Sequence, residues 1–367
     1  MSALFTPVAL GPLTAPNRIA ISPMCQYSAV AGMPTEWHLQ NAMTLAMSGA
    51  GLVMIEATAV EARGRITHGC LGIYSDAHQA AIARIIAAAR GVAPAGTLFG
   101  IQLGHAGRKG SAQRPWEGGK PLAATEHPWT TVAPSAVAFG DGWPAPEELS
   151  AAGMDGVREA FVAAARRAVE AGFDAIELHG AHGYLLHQFL SAPSNRRQDG
   201  FGGPAGRPAF PLAVARAVRE AVPSSCVLGA RITGTDWVDG GLTVEDAIAF
   251  AGALERAGYD YVCVTSGGIV PTARIPVGPG YQVPFAEAVK RTTGIKVRAV
   301  GMIADAAQAE AVIAEHRADM VAIARAAIDD PRWPWHAAAR LGAEIVRPPP
   351  YARAAPASWP GYALAHP

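Results

Sequence analysis

Residues 170–178 read EAGFDAIEL and residues 255–264 read ERAGYDYVCV. In both, a segment with helical spacing stops at a glycine, an aromatic residue and an aspartate follow, and an apolar run begins. Glycine just past a helix suits a C-terminal cap, because it takes a left-handed backbone without a Cβ penalty. The run that follows is short and apolar, as expected of a parallel strand covered on both faces. The repeating unit is therefore helix, glycine, strand.

Working outward, apolar strand-like runs occur at NRIAISPM (17–24), GLVMIEATAV (51–60), LFGIQL (98–103), DAIELH (174–179), VLGARI (227–232), YDYVCVT (259–265), KVRAVG (296–301) and DMVAIA (319–324). Ala-rich stretches with helical spacing alternate with them at 37–49, 76–91, 154–171, 208–221, 243–257, 284–292, 305–316 and 327–341. Eight such units predict a closed α/β barrel, the (β/α)8 TIM barrel, in preference to an open doubly wound sheet. Residues 1–346 are read as one barrel domain and 347–367 as a Pro-rich tail that cannot prolong the last helix. Two segments exceed what a barrel needs, 104–153 after the third strand and 266–283 after the sixth, and both are long enough to be active-site loops.

Composition limits the function. Half of the 367 residues are hydrophobic, so a large core can be buried, and 30 basic residues against 30 acidic ones leave no net field to draw nucleic acid or an anionic membrane. A small molecule is the expected partner. Cys25, Cys70, Cys226 and Cys263 form no Cys-x-x-Cys pair, which argues against a structural zinc, an iron–sulfur cluster or a disulfide framework and fits a reducing cytoplasm. The start, MSALFTPVALGPL, lacks a basic segment leading into a long apolar one, and no run of about 18 apolar residues occurs anywhere. A soluble, cytoplasmic protein is expected.

In this type of barrel the chemistry sits at the carboxyl ends of the strands. The polar residues placed there are Cys25 and Tyr27 after the first strand, Gln102 in the third, His179, His182 and Tyr184 after the fourth, Arg231 in the fifth and Arg325 after the eighth. HGAHGY (179–184) has three readings. Two histidines three apart could begin a metal site, with His105 or Glu177 joining, and a metal-dependent hydrolase would follow. They could simply hydrogen-bond the barrel rim. Or two ring N–H groups could converge on one substrate oxygen, with the Tyr184 hydroxyl beside them as proton donor.

The remaining rim residues suit a flavin. Arg231 offers a fixed positive charge to an electron-rich ring edge, and Gln102 can both donate and accept. GMIAD (301–305) and AR (324–325) lie where barrels often hold a phosphate, in the loops after strands seven and eight. No dinucleotide-binding unit is evident: GFGGPA (200–205) follows NRRQD rather than a strand. A pyridine nucleotide would be a visiting reductant.

The motifs NRIAISPMCQYSA (17–29), WH (37–38), EATAVEARGRIT (56–67), IQLGHAGRK (101–109), APSA (133–136), ELHGAHGYLLHQFLSAPSNRRQDGFGG (177–203), ARIT (230–233) and AR before DDPRWP (329–334) occur in one order along nearly the whole chain. In this the chain resembles the Old Yellow Enzyme family of FMN-dependent ene-reductases, in its thermophilic-like subclass. The resemblance implies bound FMN, with NADPH or NADH as reductant, and reduction of the activated C=C bond of α,β-unsaturated carbonyl or nitro compounds by a ping-pong hydride transfer. By the same resemblance Pro23, Met24, Cys25, Ala57 and Gln102 contact the flavin ring, Arg231 its polar edge, and Gly301, Ala324 and Arg325 the phosphate. Cys25 tunes the flavin, His179 and His182 bind the substrate oxygen, Tyr184 delivers the proton and Tyr27 adds a hydrogen bond. Ala324 stands where a glycine is common in the family. Arg353 and Trp359, in the tail, are expected to reach a neighbouring subunit's site, which implies a homodimer or homotetramer. The reverse reaction, desaturation of cyclic ketones, would use the same residues.

Overall fold

The computed structural model describes residues 2–365, so Met1 and the last two residues of the tail lie outside the described residues. Eight parallel strands close into a barrel in chain order: β1 (Ile19–Ile21), β2 (Leu52–Ala59), β3 (Leu98–Gly104), β4 (Ala175–Gly180), β5 (Val227–Thr233), β6 (Tyr261–Thr265), β7 (Lys296–Ala299) and β8 (Met320–Ile323), which returns to β1. Helices α1 (Glu36–Ala46), α2 (Asp76–Val92), α3 (Ala151–Glu170), α4 (Ala209–Ala221), α5 (Val244–Arg256), α6 (Val283–Thr292), α7 (Ala306–Ala314) and α8 (Trp333–Arg340) lie between and after them. The predicted eight-unit barrel is the observed one.

The two decisive stretches behave alike. Gly172 and Gly258 follow α3 and α5 with φ of +94° and +82°, the left-handed geometry that stops each helix. The aspartate two residues on then clasps the preceding strand. Asp174 donates its amide to Phe99 O at 2.8 Å and accepts the Phe99 N–H on its carboxylate at 2.7 Å. Asp260 does the same to Leu228 of β5, and Asp319, in RADMVAI, to Val297 of β7. Each carboxylate thus satisfies a strand-end amide that the ladder leaves open at the amino-terminal mouth of the barrel.

Departures from the sequence reading have local causes. The stretch 327–341 is two helices, Arg325–Asp329 and α8, because Pro331 interrupts it. A six-residue helix, Leu185–Leu190, precedes α4, and a hairpin of Val8–Leu10 with Leu13–Ala15 lies before β1. Of the two long segments, the first carries a short parallel pair, Val132–Ala133 with Glu147–Glu148.

One level of the barrel is joined by buried polar groups. There Glu177 of β4, fully buried, accepts from Gln102 Nε2 of β3 at 2.8 Å on one oxygen. Its other oxygen accepts from the Tyr261 hydroxyl of β6 at 3.0 Å and from Arg298 of β7. The Arg298 guanidinium also lies against the Tyr261 ring, 4.9 Å from its centroid. Removing one partner of such a pair strands a charge in a medium that cannot solvate it. Glu177→Gln should therefore lower stability by about 3–5 kcal/mol, read as a shifted urea-denaturation midpoint, and Arg298→Met added to it should recover most of the loss. An unchanged midpoint in the single variant would show that the pair is not carrying a buried charge.

Candidate active site

At the carboxyl end of the barrel, β4 runs into a turn that places three rings against one another. The ring centroids of His179 and His182 are 5.1 Å apart, those of His179 and Tyr184 4.8 Å, and those of His182 and Tyr184 6.4 Å, all near perpendicular. The turn needs two left-handed residues, His182 at φ +57° and Gly183 at +75°. Gly183 is obligatory there, since a Cβ would stand 2.0 Å from Gly268 O.

His179 Nδ1 accepts the Ala181 N–H at 3.3 Å, which leaves Nε2 as the protonated nitrogen. His182 Nε2 lies 3.0 Å from Thr265 Oγ1, whose own proton goes to Gln282 Oε1 at 3.0 Å, so the histidine is the donor in that contact. Burial, then the Arg231 charge, pushes both imidazoles well below the ordinary histidine range, so they stand as neutral N–H donors. Burial, then the neighbouring Cys25, holds the Tyr184 phenol well above its ordinary range, and it keeps its proton.

Lys109, which sequence reasoning quoted but gave no role, lies 5.2 Å over the Tyr184 ring. Its Nζ donates to His182 O at 2.8 Å and Gly268 O at 3.1 Å, and burial, then Arg108, brings its pKa down to about 8. Neighbouring Arg108 donates to Ile269 O at 2.7 Å and Val137 O at 3.1 Å. The loops after β3 and β6 are thereby stitched to each other and to the reactive turn.

Opposite, the chain leaving β1 presents Pro23, Met24, Cys25 and Tyr27. Cys25 is half-buried. Desolvation, then the nearby Cys70 and Glu56, pushes its thiol well above the usual range, against weaker help from the Ala57 backbone and the Tyr27 hydroxyl. Tyr27 is left-handed at φ +50°, shares the edge of Trp116 at 5.8 Å, and has its phenol raised by burial and then by Cys25. A bulge in β2 between Ile55 and Ala57 leaves Glu56 as the extra residue and turns it toward the first loop, where it accepts the Gln26 N–H at 2.9 Å.

Three loops at this end share one anchoring device, a histidine whose Nδ1 accepts a loop amide while its Nε2 faces a carboxylate. His38 takes Thr35 N–H at 3.0 Å and faces Glu56 at 3.3 Å. His105 takes Gly107 N–H at 3.0 Å and faces Glu61 at 2.7 Å. His187 takes Gly183 N–H at 2.8 Å and faces Asp236 at 2.9 Å. For Glu61, burial is outweighed by His105 and Arg63, which bring the carboxyl down to about 2.

The residues also fit a flavin mononucleotide. Arg231, 7% exposed, points a guanidinium to the rim with Nε unpartnered and only a 3.4 Å contact from NH1 to Ser22 Oγ. Glu177 takes an N–H of Gln102, so that amide keeps its oxygen for a ring donor. Gly301 has φ +121°, and a Cβ there would meet Gln282 Nε2 at 2.7 Å. Arg325 is exposed just after Ala324, whose ψ of −102° opens the short helix. Burial raises the Tyr281 phenol, against the pull of the Arg325 and Arg231 charges. Among the described residues, no three of His, Cys, Asp and Glu gather as metal ligands. Nor is any described helix long and apolar enough to cross a membrane.

Comparison with known proteins follows the geometry. The family profile described as NADH:flavin oxidoreductase / NADH oxidase matches residues 3–344. The chain belongs to this family. The NADPH dehydrogenase of Geobacillus thermodenitrificans (strain NG80-2) is 42% identical over 355 residues, 96% of this chain and 98% of that one. A Listeria monocytogenes serovar 1/2a NADPH dehydrogenase is 41% identical over 357 residues, covering 96% and 99%. Morphinone reductase, a solved structure, matches with a TM-score of 0.76 and 30% identity over 95% of this chain and 92% of its own. A 2-naphthoyl-CoA reductase complex shares the fold, with a TM-score of 0.82 at 23% identity over 94% of this chain and 53% of that one. This member of the NADH:flavin oxidoreductase family is thus an FMN-dependent oxidoreductase of the Old Yellow Enzyme type that draws on NAD(P)H.

Of the residues expected at the site, those on the barrel strands and their loops gather at one rim. The tail is different. Within one chain Tyr351 packs on Trp335 and under Arg332, while Arg353 is exposed and Trp359 sits beside Tyr362.

A thiol held above its ordinary range alkylates slowly at neutral pH. Mass spectrometry of Cys25 treated with iodoacetamide should give a rate that climbs with pH and shows no plateau below the ordinary thiol value of 9.0. A plateau near neutrality would mean a stabilised thiolate instead.

Proposed function

We propose that this family member is an ene-reductase, using NAD(P)H to saturate the activated C=C bond of α,β-unsaturated carbonyl or nitro compounds. The observation that carries this is the packed trio of two neutral imidazoles and a protonated phenol at the mouth of the barrel. Bound FMN would supply the redox chemistry between NAD(P)H and the alkene. Pro23, Met24, Cys25, Ala57 and Gln102 would hold its ring, Arg231 its electron-rich edge, and Gly301, Ala324 and Arg325 its phosphate.

The chain's own residues do the rest. His179 Nε2–H and His182, which exchanges Thr265 for the substrate, grip the carbonyl or nitro oxygen. Their hydrogen bonds strengthen as that oxygen gains charge, so they favour the transition state over the bound substrate. Neutral donors serve this better than imidazolium would, because their protons stay on the ring while the oxyanion forms. Tyr184 then protonates the carbon next to the activating group, and Tyr27 contributes a further hydrogen bond to the substrate. Lys109, above the Tyr184 ring, favours the phenolate left behind. The tail residues Arg353 and Trp359 complete the site from a neighbouring copy in this reading.

The test is spectroscopic. Purified protein should show oxidised-flavin absorbance, lose it to anaerobic NADPH and regain it on adding 2-cyclohexen-1-one. Tyr184→Phe should slow the enone step by roughly a hundredfold to ten-thousandfold, while bleaching by NADPH stays near the wild-type rate. Equal losses in both steps would remove Tyr184 as the proton donor. Bleaching that no enone restores would favour the desaturase direction or another acceptor.

A further inference from the structure

Beneath the reactive turn lies a pair of buried groups that touches none of the reacting atoms. His187 and Asp236 side chains are both 0% exposed, and His187 Nε2 stands 2.9 Å from Asp236 Oδ1. The contact is bent away from an ideal hydrogen bond. Even so, two facing lone pairs would repel at that distance, so Nε2 carries the proton. The other nitrogen, Nδ1, accepts the Gly183 N–H at 2.8 Å. Gly183 is the residue between His182 and Tyr184.

The carboxylate is itself held. Asp236 Oδ2 accepts from Ser191 Oγ at 2.6 Å and from Leu242 N–H at 2.8 Å, leaving Oδ1 for the imidazole. The far side of the Gly183 peptide is also tied, its carbonyl accepting from Gln188 Nε2 at 2.7 Å. The glycine's left-handed backbone is packed on Gly268, and its amide is held by His187, whose Nδ1 also lies 3.3 Å from Thr233 Oγ1.

We infer that the Asp236–His187 pair is a positioning device for the proposed proton-transfer step: by fixing the Nε2–H tautomer it makes His187 an acceptor for the Gly183 amide and so sets the angle at which the turn presents His182 and Tyr184. The inference rests on the reading of Tyr184 as proton donor, but its structural half stands apart from any substrate. Asp236→Asn is nearly isosteric and reverses the logic. Two donors, Ser191 and Leu242, claim the amide oxygen, so the amide nitrogen faces His187 and demands a lone pair on Nε2. The proton then moves to Nδ1, and a donor confronts the Gly183 N–H. A neutral aspartate substitute thereby unhooks the turn without a cavity.

The experiment uses the holoenzyme labelled with ¹⁵N-histidine. In the wild type, the His187 nitrogens should report a bare Nδ1 and a protonated Nε2, and deuterium exchange of the 181–186 segment should be slow. In Asp236→Asn the tautomer should reverse, segment exchange should accelerate by about tenfold or more, and flavin reoxidation by 2-cyclohexen-1-one should fall by at least about tenfold with NADPH bleaching unchanged. His187→Asn, which keeps an acceptor for the Gly183 amide, should recover part of the protection that His187→Leu loses. A protonated Nδ1 in the wild type, or equal protection in the Asn and Leu variants, would overturn the positioning role even if a variant misfolds. Normal tautomer and exchange shifts with an unaffected enone step would overturn the catalytic reading of the turn instead, and so separate the two failures.

Discussion

Everything at the mouth of the barrel depends on where Glu177 sends its two oxygens. One holds Gln102 and thereby decides which end of that amide faces the rim. The other gathers Tyr261 and Arg298, binding β4 to β6 and β7 through the interior rather than through the ladder. A carboxylate so placed would be ruinous alone and is tolerable only because a guanidinium meets it. Above this level sits Arg231, a cation whose Nε finds no protein acceptor. The floor of the site is thus internally balanced, and its upper edge is electropositive. Burial, and after it the charge of Arg231, depresses the two histidines as bases, and that charge suits the rim to an electron-rich ring.

A rigid floor does not by itself steady the loops above it. Here the carboxylate–imidazole–amide device appears three times, on the loops after β1, β3 and β4. In each, an anion on a barrel strand (Glu56) or in the loop that follows one (Glu61, Asp236) dictates a tautomer, and the tautomer dictates an amide's direction. Arg108 and Lys109 add the lateral ties, so the reactive turn is fixed from below, from the side and through its own left-handed residues.

Much of this was legible. The glycine-aspartate junctions in EAGFDAIEL and ERAGYDYVCV gave the alternation and, with it, the eight strands, because helix termination and strand onset are local events. The clasp made by Asp174, Asp260 and Asp319 was visible as spelling but not as function, since its partner belongs to another strand. The same limit hid the Glu177–Arg298 pair, whose members are 121 residues apart. It also hid Asp236, which nothing in TGTDWVDG distinguishes from a turn residue. His187 and Lys109 lay inside quoted motifs, yet a motif names its members without saying which way each ring nitrogen points. The bulge at Glu56 left no trace in GLVMIEATAV, where simple alternation would have turned that side chain the other way.

The left-handed backbone of His182 carries one more consequence. Most residues resist φ near +57°, and β-branched ones resist it strongly, so the range of replacements at this position is narrowed before chemistry is considered. Asparagine is among the few side chains that both tolerate this conformation and carry an N–H donor of similar reach. The clamp is therefore asymmetric in its evolutionary freedom. His179, on a regular strand, is constrained by what its ring must do, whereas position 182 is open to a donor of different basicity without any change in the path of the chain.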